Sequence, residues 1–127
     1  MRNISRLLVF RLGGTASLPA EPQLARPPLD PPPSHGTPEQ LAAGSRAYAR
    51  YCGVCHGDAA YGSTLVPDLR RSAFLKDRAL WDNVVAGGAL ADAGMASFRE
   101  LLDGAQIESI RQYVIQRANE DKALGIR

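Results

Sequence analysis

Cysteine and histidine are nearly absent from this chain. Its 127 residues hold two of each: Cys52, Cys55, His35 and His56. A structural zinc site needs four ligands of these kinds. His35 lies apart, in a proline-rich stretch, so a zinc reading runs short of ligands. An excess of one charge is also missing. Fifteen Lys and Arg stand against thirteen Asp and Glu, a formal charge of +2. That balance gives no electrostatic case for nucleic acid or for a charged membrane surface. No long block of like charge occurs either. Long hydrophobic runs are absent too. Near the start, Leu7-Leu8-Val9-Phe10 is closed off by Arg11. That run is far too short to cross a membrane, and a secretory core needs about 7–15 apolar residues. Aromatics are few: Trp81, four tyrosines and three phenylalanines. The part with globular character, roughly residues 37–121, is small for a self-sufficient core. Domains of that size often rely on a staple or a cofactor.

What is present is Tyr51-Cys52-Gly53-Val54-Cys55-His56-Gly57. It reads C-x-x-C-H, the attachment signature of a c-type haem. Thiols three apart lie on neighbouring positions of one helical turn. Both can therefore bond the two vinyl edges of one porphyrin. The histidine that follows can serve as the proximal iron ligand. Gly57 can adopt a left-handed conformation that ends the helix. A thioredoxin-like dithiol is the competing reading, but it expects a βαβ pattern around the motif, and none is visible.

A second axial ligand would strengthen the haem reading. Besides Met1 the only methionine is Met95, in Gly94-Met95-Ala96-Ser97-Phe98. Methionine is more often core filler than ligand. Here it sits among Gly87, Gly88 and Gly94, which let backbone lie close to a flat group. Met paired with His is the axial set that raises a haem's potential.

With these motifs in place, residues 38–121 resemble a class I cytochrome c domain. The narrower run of Tyr-Cys-x-Val-Cys-His-Gly-Asp, Val-Pro-Asp-Leu-Arg-Arg-Ser, Gly-Gly-Ala-Leu and Gly-Met-x-Ser-Phe is similar to the C-terminal cytochrome domain of quinohaemoprotein alcohol dehydrogenases. Those enzymes use pyrroloquinoline quinone (PQQ). The resemblance implies an all-α, cytochrome c-like fold of about three main helices around one covalently bound haem c. It implies that the Pro67 carbonyl accepts the ring N–H of His56, and that Leu69 walls the haem. It makes Arg70 or Arg71 a candidate partner for a haem propionate, against the plain alternative of a solvated basic face. It puts Phe98 on the distal side, near Met95. The family often has proline directly after the ligand methionine. Ala96 stands there instead, which puts the stiffness of the loop in question. The loop itself is expected to be held mainly by haem contact.

The rest of the chain divides into three stretches. Residues 1–18 read as a strand-like remnant or tail, with a strand at Leu7–Leu12 and a turn at Gly13-Gly14. Its residues 8–14 are similar to the end of the propeller in those dehydrogenases, which suggests a C-terminal piece of a larger enzyme. Residues 19–36 hold seven of the nine prolines, all between Pro19 and Pro33. That composition predicts an extended tether reaching up to roughly 55 Å, at about 3.1 Å per residue, with His35 solvated. Residues 37–127 form the cytochrome domain. Thr37-Pro38-Glu39-Gln40 is a helix start. Leu41, Gly44, Ala47, Tyr48, Tyr51 and Cys55 line one face of that helix. In the family, residues at the Gly44 and Tyr48 positions pack on the closing helix. A second helix is expected over Lys76–Ala86, with Leu80, Val84 and Trp81 inward. The closing helix starts at Asp103 or Gly104 and runs to about Asn119. Ile107, Ile110, Val114 and Ala118 form its stripe, and Tyr113 is placed to meet Gly44 and Tyr48. Lys122 to Arg127 should fray.

The function that follows is one-electron transfer, with His56 and Met95 as iron ligands and no catalytic residue of its own. The partner is a PQQ-containing dehydrogenase domain or another redox protein; nucleic acid and stable membrane insertion are excluded. The alternative is a free-standing soluble cytochrome c carrier. Haem attachment places either one in the periplasm, although the sequence shows no export signal.

Overall fold

Thr37 opens the folded domain. Its hydroxyl accepts the Gln40 N–H at 3.2 Å, and Pro38 fills the first helical position. Proline loses nothing there, because that N–H has no intrahelical partner. The computed structural model describes residues 9–17, 26–63 and 66–126. Helix α1 spans Pro38–Tyr51, and the short α2 spans Gly53–His56 directly after it. Helix α3 covers Arg78–Val85, and α4 covers Gly104–Ala123. Single 3-10 turns at Asp58–Ala60, Leu69–Arg71, Ala73–Lys76 and Ala91–Ala93 fill the connections. No strand occurs among the described residues.

Helices α1 and α4 are the principal contact of the domain. Gly44 decides how closely they approach. A Cβ there would stand 2.0 Å from the Ser109 carbonyl oxygen and 3.0 Å from the Tyr113 Cβ. One turn on, the Tyr48 and Tyr113 rings pack with centroids 5.3 Å apart. The expected pairing of Gly44 and Tyr48 with the closing helix is therefore present. Around it lies one core: Tyr48, Leu75, Trp81, Val85, Leu102, Ile107, Ile110, Val114 and Ile115 are all buried. Helix α4 begins with a full capping box: Asp103 accepts the Gln106 N–H at 2.8 Å, and Gln106 accepts the Asp103 N–H at 2.9 Å.

Four expectations change. Leu7 and Leu8 fall outside the described residues, but Val9–Leu12 form no strand, and Val9, Phe10 and Leu12 are exposed. A single strand has nothing to pair with here. The turn that follows is present, with the Gly14 N–H bonded to the Arg11 carbonyl at 3.0 Å. On α3, Trp81, Val84 and Val85 are buried but Leu80 is 47 % exposed. The helix is two turns long and touches the core along one edge only. Helix α4 continues past Asn119 to Ala123, because Asp121 is buried and ion-paired.

The fourth change concerns the tether. Residues 26–36 lie along the domain rather than away from it. Leu29 is buried. The Pro32 carbonyl accepts from Asn119 Nδ2 at 2.9 Å, and the His35 N–H donates to Gln112 Oε1 at 3.3 Å. Arg71 donates to the Pro27 carbonyl, and Lys76 pairs with Asp30. Polyproline backbone has no internal hydrogen bonds, so its carbonyls are free to accept from α4 and the proximal turns. The side chain of His35 is exposed, as expected.

Gly44→Ala should destabilise the domain by about 3 kcal/mol, the upper end of overpacking costs. Gly104→Ala, where an added Cβ meets nothing within 4 Å, should be neutral or mildly stabilising. Chemical denaturation of the two variants beside the wild type checks the contrast.

Candidate haem site

The sequence from Tyr48 to Gly57 builds one rigid corner. Helix α1 ends at Tyr51, and Cys52 is both its C-cap and the N-cap of α2. The Cys52 carbonyl accepts from the N–H of Cys55 at 3.2 Å and of His56 at 2.9 Å. One carbonyl thus sets the second thiol and the imidazole relative to the first. Gly57 ends the turn at φ 72 and ψ 172. The positive φ was expected, but this ψ lies beyond the left-handed helical basin, in a region open essentially to glycine alone. The Tyr48 hydroxyl donates to the Gly57 carbonyl at 2.7 Å and ties the corner back to α1.

His56 is 7 % exposed, and its Nδ1 lies 3.1 Å from the Pro67 carbonyl oxygen. A carbonyl can only accept. The proton must therefore sit on Nδ1, which leaves Nε2 with its lone pair for a metal. A bond of this kind also makes the ring a stronger donor. Cys52 and Cys55 are both free thiols. Burial, with the nearby Cys55 adding to it, pushes the Cys52 thiol up to about 11. That is the opposite of a reactive dithiol, whose nucleophilic cysteine has a depressed pKa. Nor do the thiols suit zinc: among the described residues no three His, Cys, Asp or Glu side chains converge on one point.

The distal segment reaches the same corner. Met95 and Phe98 are half-buried and pack on the core cluster, as do Cys52 and Leu69. The Phe98 ring meets Tyr51 edge-on at 6.3 Å. The loop carrying Met95 makes several hydrogen bonds of its own. Met95 N–H donates to the Leu90 carbonyl at 3.1 Å, and Phe98 N–H to the Val85 carbonyl at 2.8 Å. The Ser97 hydroxyl donates to the Ala86 carbonyl at 2.6 Å. These bonds supply the stiffness that Ala96, in place of proline, does not. A soft thioether, an oriented imidazole, two free thiols and an apolar rim make a donor set that fits a c-type haem.

Arg70 is 1 % exposed and held by protein groups, so the alternative of a solvated basic face does not apply to it. Its Nε and Nη2 donate to Asp68 at 2.9 and 2.6 Å, and its Nη1 donates to Asp121 at 2.7 Å. The Tyr61 ring lies 3.4 Å from the guanidinium carbon. Sequence reasoning missed Asp68, Asp121 and Tyr61 as parts of this region. The contact between Arg70 and Asp121 spans 51 positions, and no local pattern announces it.

Comparison with known proteins follows the same lines. Residues 39–114 match the family described as cytochrome c oxidase, cbb3-type, subunit III. The chain is 42 % identical over 122 residues to the quinohemoprotein alcohol dehydrogenase ADH IIB of Pseudomonas putida. That alignment covers 95 % of this chain and 18 % of the relative. The dehydrogenase subunit of an alcohol dehydrogenase (quinone) from Gluconobacter oxydans is 37 % identical over 118 residues, with 93 % and 16 % covered. Among solved structures, quinohemoprotein alcohol dehydrogenase ADHIIG from Pseudomonas putida HK5 superposes with a TM-score of 0.70 at 32 % identity. It covers 88 % of this chain and 16 % of that one. The chain thus spans less than a fifth of the length of these relatives.

The state of Cys52 can be read by alkylation of the haem-free chain. A raised thiol pKa means that Cys52 stays neutral in the fold, so its contribution to stability is present below pH 9.0 and is lost as pH rises toward about 11. At pH 8 the exposed Cys55 should react with iodoacetamide at least tenfold faster than Cys52, and the gap should close as pH climbs through that window. Mass spectrometry of the two peptides measures both rates.

Proposed function

Because this chain belongs to the family of cytochrome c domains, and so carries covalent haem c for electron transfer, we propose that it is the electron-exit domain of a PQQ-dependent alcohol dehydrogenase. Bound haem c supplies one-electron exchange between ferric and ferrous iron. Cys52 and Cys55 would hold the porphyrin through thioether bonds. His56, through Nε2, and Met95, through its sulfur, would be the iron ligands. The Pro67 carbonyl keeps the proton on Nδ1 and aims the ring. Leu69 and Phe98 would shield the bound group from water. With His56 and Met95 both as ligands, the iron would offer alcohol no site, and its oxidation would belong to the quinone domain.

The observation that carries this reading is the hydrogen bond between His56 and Pro67 beside two cysteines that form no disulfide. The larger context rests on the extent of the likeness. The family pattern matches residues 39–114, whereas similarity to the Pseudomonas putida dehydrogenase covers 95 % of the chain. It therefore reaches into the proline-rich segment. A periplasmic location follows from where haem c is attached. Among the described residues no helix is long and apolar enough to cross a membrane.

Two measurements test the proposal. Protein exported alongside haem-attachment machinery should keep its haem through acid–organic extraction and show a low-spin spectrum. Met95→Ala should keep the covalent haem, lose the sulfur–iron charge-transfer band and lower the midpoint potential, since Met ligation raises it. Pigment that extracts completely would return Cys52 and Cys55 to other chemistry. The second measurement joins the domain to the quinone-binding region of a relative and adds a primary alcohol. Reduction of the haem band in step with alcohol oxidation supports the exit role. Reduction by a separate redox protein but never by alcohol would make the chain a free carrier.

A further inference from the structure

The carbonyl that holds His56 is itself held from two sides. Pro67 and Asp68 share one peptide plane, so whatever fixes that plane fixes the acceptor of the imidazole proton. On one side lies Gly62, at φ +68. A Cβ there would stand 2.6 Å from the Pro67 carbonyl carbon, its oxygen and the Asp68 nitrogen alike. The Gly62 N–H donates to the His56 carbonyl at 2.7 Å, so this wall is tied to the same histidine.

On the other side the Asp68 carboxylate takes four hydrogen bonds. Oδ1 accepts from the Arg70 N–H at 3.1 Å and from Arg70 Nε at 2.9 Å. Oδ2 accepts from Arg70 Nη2 at 2.6 Å and Arg71 Nε at 3.0 Å. Arg70 then reaches across to α4, where Asp121 accepts from Nη1 at 2.7 Å and is held in turn by Arg117. Asp121 is 1 % exposed. The chain of contacts thus runs from the closing helix through Arg70 and Asp68 to the Pro67 carbonyl, and from there to the imidazole.

We infer that Asp121, Arg70 and Asp68 are positioning residues for the His56 ring: they lock the Pro67 carbonyl against Gly62 and thereby set the donor strength of the proximal imidazole. This deepens the proposed function and rests on His56 as an iron ligand. Every described partner of the network is a protein group. Its effect on the iron passes through one hydrogen bond, and that bond acts on basicity rather than on charge.

The two possible effects of Arg70 differ in sign. Removing a cation near the iron favours the ferric form and lowers the midpoint potential. Loosening the bond between Pro67 and His56 weakens the imidazole as a donor, disfavours the ferric form and raises the potential. Arg70→Gln in the haem-loaded protein separates them. We expect a higher midpoint potential than wild type. We also expect His56 ring ¹⁵N shifts that move toward a weaker Nδ1–H hydrogen bond, with hydrogen exchange at that N–H at least tenfold faster. Amide exchange at Ile110 and Val114 serves as the reference for general loosening. A lower or unchanged potential with wild-type ring shifts would overturn the inference. So would ring exchange that rises only in proportion to the core amides.

If Arg70→Gln fails to fold, Asp121→Asn keeps the size and an acceptor oxygen while weakening the clamp. Faster His56 ring exchange with unchanged core amides supports the inference there, and unchanged ring exchange sinks it. The ligand assignment has its own signal. Ferric wild-type protein whose His56 protons show no hyperfine shift would refute it, while the ring shifts of wild type and variant still decide the positioning role.

Discussion

The hydrogen bond from His56 Nδ1 to the Pro67 carbonyl is the contact on which the site depends. It decides which ring nitrogen carries the proton. It also brings together two stretches of chain with no regular secondary structure in common. The corner at Cys52–Gly57 supplies the donor, and the turn before Leu69–Arg71 supplies the acceptor. Neither could hold its geometry alone, since a four-residue helix is far below the length that is stable in water. Each is secured elsewhere. The Tyr48 hydroxyl anchors the donor corner to α1, and Asp68 and Arg70 anchor the acceptor turn to α4.

Those two anchors explain why α1 and α4 must cross so closely. A side chain at position 44 would push the helices apart, and with them the two halves of the hydrogen bond. Tyr48 takes part in both relations: its ring packs on Tyr113 of α4, and its hydroxyl holds Gly57. The buried core between the helices is therefore more than a store of hydrophobic stability. It is the distance gauge that lets a donor fixed to one helix meet an acceptor fixed to the other.

Much of this frame could be read in the sequence because its signals are local. Thr37-Pro38 and Asp103 mark helix starts by capping chemistry that acts within three residues. The two thiols and the histidine are contiguous, and Gly44 stands out as a costly residue inside a helix. Beyond the Gly44–Tyr48–Tyr113 crossing and the His56–Pro67 pair, which the family resemblance implied, the tertiary contacts were not legible. Residues 26–36 read as a free tether because proline content reports backbone stiffness and says nothing of docking. Leu29 then buries itself, and carbonyls at Pro27 and Pro32 find donors on the domain. Leu80 read as core because of its type, yet two-turn α3 has too little buried face to cover it. Arg70 read as either a propionate partner or a solvated residue, and its burial was not legible because its partner Asp121 sits on the last helix.

The buried ion network is a poor device for stability and a good one for geometry. Taking charges out of water costs several kcal/mol per ion, and the attraction regained often only offsets that cost. An apolar cluster of the same volume would serve the core as well. It would not fix a peptide plane, because dispersion contacts have no direction, whereas hydrogen bonds weaken steeply as they bend. Asp68 accepts from two arginines and Asp121 from two, with Arg70 common to both. Rotation of the 67–68 peptide would have to break several of these bonds at once. The same network fastens the proline-rich strap, since Arg71 bonds both Asp68 and the Pro27 carbonyl. The segment that leads into the domain and the turn that orients the imidazole therefore share one arginine. The path by which this domain joins whatever precedes it is built into the proximal side of the site.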